Sequence, residues 1–196
     1  MNALQNICFV IWIYVLSVLK RGKLHFWYFV TGSVGLFIFL MITTQPYLVG
    51  PLSKAVTAVT GILGSLTHTY TSNFEYGILF IQRKAYSITL NIDFECSGVI
   101  ETLAFTALLW FFPIYKFYEK LVVNILGVLV IFIGNVIRIF CICELIYFMG
   151  NEVYYIAHTI IGRLIFYAIS ILLYYFVFTK AQIKRQKVGV FEYEHS

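Results

Sequence analysis

The chain has 196 residues, 61% of them hydrophobic and 12% charged, with a net charge of +5. A composition this apolar and charge-poor excludes a soluble globular domain and marks an integral membrane protein, with length for a single domain over 1–196. The apolar runs are long and do not alternate, which excludes a single-chain β-barrel and leaves a helical bundle, whose backbone polar groups are satisfied internally.

The first two spans are predicted over 5–20 and 24–43, joined by the turn Lys20-Arg21-Gly22-Lys23, with Trp27 and Tyr28 as interfacial aromatics. Met1–Leu19 has no positive n-region and no small-residue cleavage site, so it reads as a span and not as a signal peptide. An extracytoplasmic insert over 44–95 follows. In it, Val49, Leu52, Val56, Val59 and Leu63 recur at helical spacing with Lys54 off their face, the pattern of an amphipathic helix on or partly in the outer surface or of a short buried one; Lys54 and the threonines make it a poor full span. Tyr76–Ile81 and Tyr86–Ile92 read as a β-hairpin, because Tyr86, Ile88, Leu90 and Ile92 alternate with Ser87, Thr89 and Asn91. Arg83 and Lys84 lie between the two runs.

A third span over 96–112 is stopped by Pro113, and Lys116, Glu119 and Lys120 form a short connection. The fourth, over 121–149, carries Asn124, Asn135, Arg138 and Glu144; the turn Gly150-Asn151-Glu152 leads to a fifth over 155–178. The expected fold is therefore an all-α polytopic membrane bundle of about five spans, with a small extracytoplasmic β-hairpin and an amphipathic helix. Lys20–Lys23, Lys116–Lys120 and the cluster Lys180, Lys184, Arg185 and Lys187 lie beside apolar segments, as cytoplasmic anchors facing anionic lipid do. That distribution argues against nucleic acid as a partner. It orients the chain in the plasma membrane with its N-terminus outside and its C-terminus in the cytoplasm.

The seam Asn91–Glu101, NIDFECSGVIE, places a thiol where the polar segment meets the third span. Arg138 lies 17 residues beyond Leu121, roughly 26 Å along a helix, which puts it near the outer end of its span. His158 falls near the outer end of the fifth span, so Cys96, Arg138 and His158 are predicted at one depth. An arginine within a membrane is costly unless paired or used. A thiol beside Arg and His can be held as thiolate; the imidazole can move the proton, and Arg138 or the backbone N–H groups of Ser97 and Gly98 can stabilise an oxyanion. Gly98 would let a substrate chain approach closely. Asn135, at i,i+3 from Arg138, is expected to orient the guanidinium, with Gly134 allowing a close helix contact. Asp93 and Glu95 oppose a thiolate, and one of them is expected to pair with Arg138 or with a substrate cation. Glu101 needs a partner, either Arg138 or Arg163. His68 reads as a surface residue and Glu144 as a polar anchor at a helix end. Cys141 and Cys143, at i,i+2, face different ways and make a weak case as metal ligands with His158, so neither a metal nor a cofactor is expected.

Taken together, Glu95-Cys96-Ser97-Gly98, Asn135-x-x-Arg138 and His158 resemble the exosortase/archaeosortase family of membrane enzymes, over Leu90–Gly162 in the main. The short chain resembles the compact Gram-positive form. The resemblance implies Cys96 as nucleophile, Arg138 as thiolate or transition-state partner and His158 as general acid/base of a sortase-like cysteine peptidase/transpeptidase. It also implies the partner: a membrane-anchored exported protein ending in a short motif, a span and a basic tail, cleaved near the motif and passed to an exopolysaccharide or other surface acceptor. Two other classes fit the composition. One is a non-enzymatic scaffold or assembly subunit of an export system, and the other is a small transporter with Arg138 and Glu101 along its path.

Overall fold

A computed structural model describes residues 3–83, 86–94 and 96–187. Helix α1 (Ala3–Arg21) ends in its two basic residues, and Lys23, with φ 55°, turns the chain into α2 (His25–Thr67). The two helices lie against each other: Phe9 stacks on Phe39 with ring centroids 4.7 Å apart, and the Trp12 indole donates to the Thr31 carbonyl at 2.9 Å.

Helix α2 has 43 residues, about 65 Å of helix against a hydrocarbon core of roughly 30 Å. Residues 46–67, anticipated as a separate helix, are its second half. Pro46 and Pro51 sit inside it without ending it. A proline removes one N–H and leaves one carbonyl without its helical partner, a loss that neighbouring hydroxyls can relieve. The carbonyls so freed are those of Ile42 and Tyr47, whereas the Thr43 and Thr44 hydroxyls donate to the carbonyls of Phe39 and Leu40 at 2.8 and 2.7 Å. The second half is two-sided, with Ser53, Val56, Thr57, Thr60, Gly61 and Gly64 buried and Lys54, Ile62 and Leu66 exposed. His68, in the left-handed region, caps its end with an N–H bond to Gly64.

The buried face is covered by a sheet. Strands β1 (Tyr70–Asn73), β2 (Ile78–Arg83) and β3 (Tyr86–Asn91) form an antiparallel meander in the order β1-β2-β3, with Tyr70 opposite Ile81 and Leu79 opposite Leu90. The expected hairpin is thus present, with an additional short, polar edge strand. Leu79, Ile81, Leu90 and Ile92 point inward while Ser87, Thr89 and Asn91 are exposed, as the alternation requires. The Tyr70 phenol donates to the Thr60 carbonyl at 2.8 Å and ties β1 to α2. Burial pushes that phenol's pKa up, with Cys143 and Glu144 adding to the effect.

After the sheet come α3 (Val99–Phe111) and α4 (Phe117–Met149). Phe112 is already extended, as the residue before Pro113 must be. Glu119 opens α4 by accepting the Lys116 N–H at 2.8 Å. Gly150, with φ 95°, ends it and starts a final helical run whose winding changes along its length. The run is 3₁₀ over Asn151–Val153, α over Tyr154–Ile156 (α5), π over Ala157–Ile161, α over Gly162–Tyr174 (α6), π over Tyr175–Thr179 and α over Lys180–Lys187 (α7). Where it crosses α4, a Cβ on Gly162 would stand 2.5 Å from Ile142 Cδ1, so a larger residue would have to push that side chain aside.

Among the described residues, α2, α4 and the run Asn151–Ile183 are long and apolar enough to cross a membrane, and α3 is a shorter apolar helix. The protein is a mostly helical, multi-span membrane protein. Ile125, Leu126, Leu129, Ile133 and Ile137 give α4 an exposed apolar stripe that suits lipid. Among the described residues, two cores lie inside. One joins Leu79, Ile81 and Leu90 of the sheet to Val56 of α2, Ile139 and Ile142 of α4, and Cys96. The other gathers Phe105, Leu109, Ile131 and Phe166 toward the opposite end, where the Tyr115 hydroxyl donates to the Val177 carbonyl at 2.6 Å.

Candidate active site

Cys96 sits in a turn between β3 and α3, on the edge of the sheet-side core. The turn is held from both ends. Ile92 donates its N–H to the Gly77 carbonyl at 2.9 Å, and the Cys96 N–H lies 3.2 Å from both the carbonyl and Oδ1 of Asp93. The carboxylate of Asp93 thus has a backbone role: it caps the turn that presents the thiol. The Ser97 hydroxyl donates to the Phe94 carbonyl at 2.8 Å, so it is engaged within the turn. Gly98 is left-handed at φ 78°, and its carbonyl accepts both the N–H and the hydroxyl of Thr102 in the first turn of α3. The sharp reversal into the helix is what requires glycine there. Glu95 lies outside the described residues.

Helix α4 supplies two side chains. Asn135, 1% exposed, donates from Nδ2 to the Cys96 carbonyl at 2.6 Å. It therefore fixes the cysteine backbone, where the sequence suggested it would hold the guanidinium. Arg138, 6% exposed, brings Nη2 to 4.0 Å from Cys96 Sγ and lies over the Phe166 ring at 5.8 Å from its centroid. The i,i+3 spacing puts both residues on the same face of α4, one on the backbone of Cys96 and the other on its sulfur.

The last helix supplies the imidazole. His158 Nε2 is 3.4 Å from Cys96 Sγ, across 62 residues of sequence. It belongs to the π-wound turn Ala157–Ile161, a local widening of the kind that recurs at functional sites. Tyr154, four residues earlier, stacks on the imidazole at 6.0 Å between centroids and 9° between planes. Cys96 itself is 3% exposed, so the thiol is covered by its neighbours and His158 is half-buried beside it.

Arg138 also borders a cavity of ≈230 Å³ lined by Phe94, Glu101, Arg163 and Phe166 among others. Glu101 Oε2 and Arg138 Nε are both buried without a hydrogen-bond partner, so the expected ion pair between them is not closed. Arg163 is exposed and reaches the same cavity. Two buried polar atoms left unsatisfied at one cavity wall are unusual and suit a space that takes a polar group.

The remaining candidates lie elsewhere. His68 is exposed at the end of α2, and Glu144 accepts from the Thr69 hydroxyl at 2.8 Å, anchoring α4 to the chain ahead of the sheet. Cys143 is fully buried in the core and Cys141 half-buried, and no disulfide joins any of the four cysteines. No metal-holding group of His, Cys, Asp and Glu occurs among the described residues. The sequence reading passed over Tyr154 and Phe166, which brace His158 and Arg138. The i,i+4 spacing of Tyr154 and His158 was the available signal for the first, and nothing local pointed to the second.

These features define a multi-span membrane protein with a buried cysteine held between a histidine and an arginine. A family model described as transmembrane exosortase (Exosortase_EpsH) matches residues 1–175, and the chain belongs to that family. No curated protein and no solved structure matches it.

Proposed function

We propose that the protein is a membrane cysteine peptidase or transpeptidase that cleaves the C-terminal sorting signal of exported, membrane-anchored proteins at the outer face of the plasma membrane. The observation that carries this reading is the approach of His158 Nε2 to 3.4 Å and Arg138 Nη2 to 4.0 Å from one sulfur. Cys96 Sγ, its proton taken by His158, attacks the scissile carbonyl carbon. The tetrahedral oxyanion is stabilised by Arg138, with the backbone N–H groups of Ser97 and Gly98 as further donors. Collapse breaks the C–N bond, His158 returns the proton to the leaving amine, and a thioester remains on Cys96. Water or an acceptor nucleophile, deprotonated by His158, then releases the acyl group to solution or to a surface acceptor such as exopolysaccharide.

In this reading the chain crosses the membrane five times, N-terminus out, and the cavity at Glu101, Arg138 and Arg163 receives the substrate segment next to the scissile bond. The test follows an exported partner with a C-terminal apolar span and basic tail in cells carrying Cys96→Ala or Cys96→Ser. Both variants should express normally and leave the partner unprocessed. Processing retained in both sinks the reading.

A further inference from the structure

At the end of the bundle opposite Cys96, a groove of ≈800 Å³ runs between α1, α2 and α3. One end of it is basic. Lys20 comes from the last turn of α1, Lys23 from the turn after it, His25 from the start of α2 and Lys120 from the first turn of α4. Lys120 is half-buried, and its ammonium is fixed there by a 2.6 Å bond to the Trp110 carbonyl at the end of α3. No carboxylate lines the groove among the described residues. Away from this mouth the walls are apolar and aromatic, with Trp12, Leu36, Leu40 and Phe111 in sequence along α1, α2 and α3.

We propose that this groove binds one anionic phospholipid of the leaflet that faces the α1–α2 turn. Its phosphate would sit among Lys20, Lys23 and Lys120, and an acyl chain would lie along Trp12, Leu36 and Leu40. Two features select this occupant. Basic pockets between spans suit acidic lipid headgroups, and three lysines with no carboxylate leave positive charge unmatched. The length also fits: from His25 to Leu40 the helix rises about 22 Å, whereas one leaflet contributes about half of the roughly 30 Å hydrocarbon core. The groove thus holds a headgroup and a chain together, which a free phosphate does not need. A substrate span with a basic tail would meet like charge at the mouth. The lipid site is remote from Cys96 and does not rest on the proposed reaction.

Trp12 and Trp110 both line the groove and Trp27 does not, so a Trp27→Phe background leaves two reporters inside it. The full chain in that background is titrated in mixed micelles with phosphatidylglycerol brominated on its acyl chains, or with the matching phosphatidylcholine. Tryptophan quenching should reach its midpoint at a phosphatidylglycerol mole fraction on the order of five- to tenfold lower than for phosphatidylcholine. Lys20→Gln with Lys23→Gln should erase that preference. Lys20→Arg with Lys23→Arg should keep it, as should Lys54→Gln on the far half of α2. If the double glutamine variant does not fold, Lys120→Gln alone should still weaken the preference. Equal quenching by the two lipids overturns the proposal, as does a preference untouched by every lysine-to-glutamine change. Displacement of the brominated lipid by inorganic phosphate reassigns the mouth to a free anion and overturns it too. Displacement by a peptide of one span and a basic tail hands the groove to substrate and does the same.

Discussion

Replacing Asn135 with alanine separates the positioning of Cys96 from the stability of the bundle. The wild-type side chain makes a 2.6 Å bond from Nδ2 to the Cys96 carbonyl while its own Oδ1 is buried without a partner. Removing the donor orphans the carbonyl at a cost of about 1–3 kcal/mol, but removing the unsatisfied Oδ1 relieves a penalty of the same order. The two partly offset, the vacated buried volume adds a cavity cost, and the net loss of stability is expected to be about 1–2 kcal/mol. Catalysis has no such offset. The turn that carries Sγ loses its tether to α4, and a misplacement of about 1 Å in a reacting group lowers rate on the order of 100-fold. The assay is kcat/KM for cleavage of a membrane-anchored reporter ending in a partner's C-terminal segment, read beside thermal unfolding in detergent. A fall in rate far larger than this modest loss of stability explains supports the tether. Full activity refutes it, and a loss of more than about 3 kcal/mol shows that Asn135 serves the fold instead.

Three further outcomes follow from the geometry. Asp93→Ala should lower stability by about 0.5–2 kcal/mol through loss of the turn cap, whereas Asp93→Asn, which keeps the accepting oxygen, should behave as wild type in unfolding and in cleavage; equal loss in both would make the charge and not the cap the important property. Arg138→Lys keeps the charge but not the fork that reaches Sγ, and kcat should fall on the order of 10²–10³-fold with KM little changed; retention of most of kcat would remove Arg138 from the transition state. The Tyr70 pKa is raised in the folded protein by burial, so its contribution is fully present below the unfolded phenol value of about 10 and declines as pH rises above it. Tyr70→Phe should lose about 0.5–1.5 kcal/mol with the bond to Thr60 yet show a flatter alkaline decline in thermal unfolding; an unchanged slope would place the alkaline sensitivity elsewhere.

The meeting of Cys96, Arg138 and His158 was legible because depth in a span is nearly a linear function of residue number, at about 1.5 Å per residue. The hairpin was legible for a similar reason: Leu90 and Ile92 alternate with Thr89 and Asn91, and the inward positions are the buried ones. Continuity of α2 was not legible, since Pro46 and Pro51 are stop signals in isolation and are tolerated only where tertiary packing supports the helix. Strand β1 was missed because Tyr70–Asn73 is four mostly polar residues, and its pairing with β2 is a tertiary fact. Asn135 was placed on the correct face, but its partner depended on side-chain direction, which spacing does not specify. The same is true of Asp93: its carboxylate looked hostile to a thiolate in the linear string, and in the folded turn it accepts the Cys96 amide. The open pair of Glu101 and Arg138 shows the converse, a charge match that sequence proposes and the cavity between spans leaves unclosed.

The central claim is that the Cys96 sulfur forms a covalent bond to the substrate acyl group. The most direct measurement mixes purified wild-type protein with the membrane-anchored reporter, quenches during turnover and maps the thioester by mass spectrometry. A reporter-derived acyl adduct on Cys96, released by hydroxylamine and absent from Cys96→Ala, is the predicted result. Cleavage of the reporter with no adduct on Cys96, and at an undiminished rate in Cys96→Ala, would contradict the account.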